Sequence, residues 1–244
     1  MNQYYETPNQ EVVGLKKDRS GVLSFAKIFF YMFIGLAITT AVAFGIGGIF
    51  TLAKIRGADD TMLNNAYLGL MIGSGITLII MTFVINLVFL RGRHSILVPA
   101  LIYSILMGVL LSSFTIWVDW RLLGAAFGIT SGIFLIMTLI ASLTKGNMSP
   151  LLMLGIGLLM GSGLLVLINL LIGSTTLYWA ISFAIFAAMM FITMFDIWNI
   201  KKICENGAMS RNLELYCAFN LYVDFVYILI RIIYFLILIY GRSK

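Results

Sequence analysis

Asp196, in Met194-Phe195-Asp196-Ile197-Trp198, and Asp224, in Leu221-Tyr222-Val223-Asp224-Phe225, lie inside stretches otherwise apolar enough to cross a bilayer. Charge placed there is costly and marks function by default. Two carboxyls brought together in low dielectric cannot both ionise cheaply, so they share a proton and titrate as a pair. Such a pair can sense pH, hold a hard cation such as calcium through its oxygens, or activate a water as general acid and base.

The elements that carry them follow from composition. Of 244 residues, 61% are hydrophobic and 11% charged, with three prolines and a mean hydropathy of +1.03. This is an all-α, polytopic membrane protein. Runs of about 20 apolar residues fall at 28–53, 66–90, 95–118, 122–144, 151–173, 177–200 and 215–240. Seven transmembrane helices are therefore predicted, joined by turns too short to fold separately, such as Arg56-Gly57-Ala58-Asp59-Asp60 and Lys145-Gly146-Asn147-Met148-Ser149-Pro150. Residues 1–25 read as a polar, disordered cytoplasmic tail ahead of an uncleaved first helix, and residues 26–244 as the transmembrane domain.

Basic residues set the orientation. Lys16, Lys17, Arg19, Lys27, Arg91, Arg93, Lys145, Lys201, Lys202 and Arg211 fall on one side, against Lys54, Arg56, Arg121, Arg242 and Lys244 on the other. The excess puts the N-terminus in the cytoplasm. The net charge of +6 thus reflects topology and anionic lipid, not nucleic acid. The short C-terminal tail, without a retention signal, favours a bacterial plasma membrane.

Depth and face refine the site. Asp196 precedes Lys201 by about 7 Å of helix, and Asp224 lies about 6 to 9 Å below the same surface. Asn220, Asp224 and Arg231, at i, i+4 and i+11, share one face of the seventh helix, a face expected to point into the bundle and line a pore. Arg91 closes the second span at the same level, where its long side chain reaches inward as easily as outward.

Other motifs give less. His94 has no second ligand at metal spacing, Cys204 and Cys217 are expected to stay reduced, and no phosphate-binding glycine pattern occurs. Gly69/Gly73, Gly128/Gly132 and Gly157/Gly161 have the spacing for close helix packing. Trp117, Trp120, Trp179 and Trp198 read as interfacial anchors. An intramembrane aspartyl protease also uses two aspartates on neighbouring helices, but it requires Gly-x-Gly-Asp where this chain has Leu221-Tyr222-Val223-Asp224. A retinal receptor needs a lysine in the seventh helix, which has none before Lys244. No enzyme is expected, and no cofactor.

Phe195-Asp196-Ile197-Trp198-Asn199-Ile200-Lys201, followed after a polar stretch by Asn220-Leu221-Tyr222-Val223-Asp224-Phe225, resembles the signature of the Bax inhibitor-1 family. The resemblance implies six helices around the last and a pH-sensitive calcium leak, with Asp196 and Asp224 as sensor and ion site. It further implies that an arginine ending the second helix, Arg91 or its competitor Arg93, latches the closed state by salt-bridging one aspartate. The polar connection between the aspartates is longer than the resemblance leads one to expect, and Arg231 is an extra cation. The alternative it suggests is a membrane regulator that binds a protease or a stress or cell-death factor, with no transport.

Overall fold

The computed structural model describes residues 9–57, 59–91, 95–207 and 209–241. Its helices are α1 (Asn9–Ile55), α2 (Asp60–Arg91), α3 (Leu97–Trp117), α4 (Trp120–Leu143), α5 (Ser149–Ile172), α6 (Thr175–Glu205) and α7 (Arg211–Gly241). Each contains a stretch long and apolar enough to cross a membrane, as the sequence predicts, and the described residues contain no strand. Hydrocarbon offers no water to the backbone, so such segments satisfy their N–H and C=O groups within a helix.

α1 begins at Asn9, inside the stretch read from sequence as a disordered tail, while its apolar span begins at Gly21. Residues 9–20 are helix ahead of the membrane. Composition alone misses this, because the adjacent apolar helix supplies the costly first turn that a polar segment does not nucleate by itself.

The helix ends follow local chemistry. The Asp119 carboxylate caps α4 by accepting the Arg121 N–H at 3.0 Å, and the Ser174 hydroxyl caps α6 by accepting the Leu177 N–H at 3.4 Å. Gly173 ends α5 at φ 68°, in the left-handed region that favours glycine.

α7 packs against α1, α4 and α6 and also touches α2 and α3, with Leu221, Val226 and Ile228 fully buried. Five helices thus surround it instead of six, because α5 packs on the far side of α6. Apolar side chains such as Leu164 and Leu171 face outward, where lipid is the solvent.

The glycine pairs singled out in the sequence do not pack helices. A Cβ at Gly69, Gly73, Gly128, Gly132, Gly157 or Gly161 would meet nothing within 4 Å. Close approach happens at Gly108 instead, where a Cβ would lie 2.7 Å from both the Thr39 carbonyl oxygen and Val42 Cβ of α1. Buried Ser104 and Ser112 flank Gly108 at four-residue spacing, making a small-xxx-small face in which serines replace the outer glycines. Spacing defines a face but not which helix meets it. Gly108→Ala is therefore expected to cost about 1–3 kcal/mol through overpacking, while Gly128→Ala leaves the melting temperature in detergent unchanged.

Candidate functional site

Burial on both helices fixes the rotation that brings the aspartates together. On α6, Ile197, Trp198, Ile200 and Cys204 are buried, and on α7 Leu221, Tyr222, Phe225 and Val226 are buried. Those apolar faces leave Asp196 and Asp224 turned toward each other, their carboxyl groups in direct contact. Thr193, nearly one turn before Asp196, also reaches Asp224, while its hydroxyl donates to the Met189 carbonyl at 2.8 Å.

Asp224 Oδ2 is shielded from solvent and has no hydrogen-bond partner among the described residues. An orphaned carboxylate oxygen in a low-dielectric site is expensive. Sharing one proton with Asp196 lowers that cost, and so does a cation.

Two anchors hold α7 beside this pair. The Tyr222 hydroxyl donates to Thr39 Oγ1 at 2.6 Å, and Thr39 donates on to the Ser104 carbonyl at 3.0 Å, tying α7 to α1 and α3. Two turns before Asp224, the Tyr216 hydroxyl donates to Asn86 Oδ1 at 2.8 Å, and its ring stacks on Phe89 with centroids 3.9 Å apart. That contact fixes the end of α2 that leads into Arg91.

A family model described as inhibitor of apoptosis-promoting Bax1 matches residues 21–241. The chain belongs to the Bax inhibitor-1 family. No curated protein and no solved structure matches it.

In this Bax inhibitor-1 family protein the pair comes together, but Arg91 does not join it. Arg91 is exposed at the last position of α2 and makes no ion pair among the described residues. The chain α2–Tyr216–α7 makes that connection through neutral groups. Arg93 and His94 lie outside the described residues.

Asn220 and Arg231 are half-buried on the same face of α7 as Asp224. The face is longer than those three residues indicate. Tyr216, Asn220, Asp224, Tyr227, Arg231 and Tyr234 stand at i, i+4, i+8, i+11, i+15 and i+18, a polar stripe along the helix. Asp224, in its middle, turns inward with Oδ2 shielded from solvent. Tyr227 is 43% exposed and lies against Tyr103 of α3. Near the far end the Tyr234 and Tyr178 hydroxyls meet across α7 and α6, beside Arg231, which makes no ion pair among the described residues.

The tyrosines escape sequence reading because in a membrane helix they look like interface residues. The repeat at alternating four and three positions through Asp224 is the signal that exposes them. Glu214 is a second omission. It is 6% exposed and pairs with Lys27 of α1 at 4.0 Å, securing the same end of the bundle.

No three His, Cys, Asp or Glu side chains converge on a metal position among the described residues. The pair offers carboxylate oxygens, with Thr193 and Asn220 nearby, well short of the six to eight oxygens of a tight calcium site.

Proposed function

We propose that the protein is a pH-sensitive calcium leak, with Asp196 and Asp224 as both proton sensor and ion site. The observation that carries this reading is the carboxyl contact with an orphaned Asp224 Oδ2 on a polar stripe that runs along a transmembrane helix. Raising the pH removes the shared proton. The two charges then repel or take up a cation, and calcium, a hard ion that prefers oxygen, suits them.

The closed state in this reading is held by Tyr216 on Asn86 and Phe89, the place that the resemblance gives to Arg91. Losing one such hydrogen bond is worth about 1 kcal/mol. Tyr216→Phe is therefore expected to raise resting calcium flux in proteoliposomes about fivefold, and Arg91→Gln to leave it within about twofold. The reverse ranking returns the latch to Arg91.

The basic-residue bias supports an N-terminus in the cytoplasm, and we place the protein in a bacterial plasma membrane. Cysteine labelling of a residue in 9–20, in sealed cells against opened ones, tests the side.

One observation favours a second reading, a regulator that binds a membrane protease or a stress factor. Residues 9–20 continue α1 as a helix beyond its apolar span, a ready partner surface. Deleting residues 1–20 leaves a leak intact and abolishes a tail-mediated complex.

A further inference from the structure

The α1–α4 side of the bundle holds a groove that the leak does not use. α1 and α4 meet through Phe29 and Phe134, ring centroids 6.4 Å apart, but are not packed neighbours along the rest of their length. A cavity of about 410 Å³ opens between them, floored by Val226 and Leu229 of α7 and walled by Phe44, Trp120 and Gly124. A second cavity of about 430 Å³ continues it toward the other membrane face, the two sharing Leu36 and Phe127. From Trp120 to Leu139 the groove follows α4 for about 28 Å, close to the hydrocarbon thickness of a bilayer.

Its mouth is cationic. Arg121 stands over the Trp120 ring, 5.6 Å from the centroid, and is exposed in the first turn of α4. The neighbouring Asp119 carboxylate is engaged in capping the helix, accepting the Arg121 N–H. An apolar channel of membrane depth with a guanidinium and an indole at its interfacial end matches one ligand class, a molecule with a hydrocarbon chain and a phosphate head.

We infer that the α1–α4 groove is a phospholipid-binding site, holding an acyl chain against Gly124 and Phe127 with the headgroup phosphate on Arg121. Every phosphate-bearing lipid shares this chemistry, and the probes separate anionic from zwitterionic sources.

The test is native mass spectrometry of the purified protein with phosphatidylglycerol, phosphatidylethanolamine or diacylglycerol of the same chains. Wild type should retain one phospholipid at least about fivefold better than diacylglycerol. Phosphatidylglycerol binding better than phosphatidylethanolamine adds an anionic preference, and equal binding assigns recognition to the phosphate alone; both support the site. A Cβ at Gly124 would meet nothing within 4 Å, so the side chain of Gly124→Trp starts in open space and should occupy the groove and remove the bound lipid. Gly157→Trp, on an open stretch of α5, should not. Arg121→Gln, a surface change that leaves folding alone, should abolish the preference over diacylglycerol. Unchanged binding in Gly124→Trp, equal diacylglycerol retention in wild type, or a dimer that Gly124→Trp dissociates would overturn the inference, the last by giving the groove to a second copy.

Discussion

Asp196→Asn and Asp224→Asn should each lower calcium flux in proteoliposomes by about tenfold or more and flatten its pH dependence between about pH 5 and 8. Each replacement takes one ionisable oxygen pair from a contact of two carboxyls. A charge-assisted contact to a cation is worth roughly 1.5–3 kcal/mol, and a single remaining carboxyl no longer has a partner with which to share a proton. Asp224→Asn should have the larger effect, because the orphaned Oδ2 is its own. The check is a flux assay with internal calcium dye at several pH values; variants that keep the wild-type slope would remove the sensor from this pair.

Arg231→Gln should act in the opposite direction. Arg231 lies two turns beyond Asp224 on the same stripe, about 10 Å away along the axis, and no acidic side chain neutralises it among the described residues. A unit positive charge at that distance opposes a divalent cation by ~3 kcal/mol at an effective dielectric of about 20. Screening by ions reduces this, so flux should rise about ten- to a hundredfold in Arg231→Gln, and Arg231→Lys should restore it to near wild type. Flux that does not change in Arg231→Gln would place the ion path away from the outer half of the stripe. In the leak we propose, an acidic site at one depth and a cationic barrier at another would make conduction slow.

Much of this architecture is legible in the chain because membrane burial is written in long apolar runs. All seven helices fall where the runs do, with most edges displaced by a few residues, as at Arg211, and the start of α1 displaced from 28 back to Asn9, where polar helix continues past the apolar span. The aspartates are legible for the same reason, since charge in such a run stands out. What the runs do not encode is azimuth. Gly69/Gly73 and Gly128/Gly132 face lipid although their spacing suits packing, while Gly108 packs with serines as its neighbours. On α7 the face with Leu221, Val226 and Ile228 is the more apolar and takes the core, leaving the stripe only half-buried and Tyr227 exposed. Arg91 illustrates a further limit. Its depth is fixed by the end of α2, but Tyr216 and Asn86, 130 residues apart, decide how α2 meets α7.

A pH-sensitive leak is tested by wild-type calcium flux into proteoliposomes scanned from about pH 5 to 8, beside empty liposomes. It predicts flux above the empty control that rises with pH as the shared proton leaves Asp196 and Asp224. Flux indistinguishable from empty liposomes throughout that range would contradict it and transfer the function to a partner bound by the α1 extension.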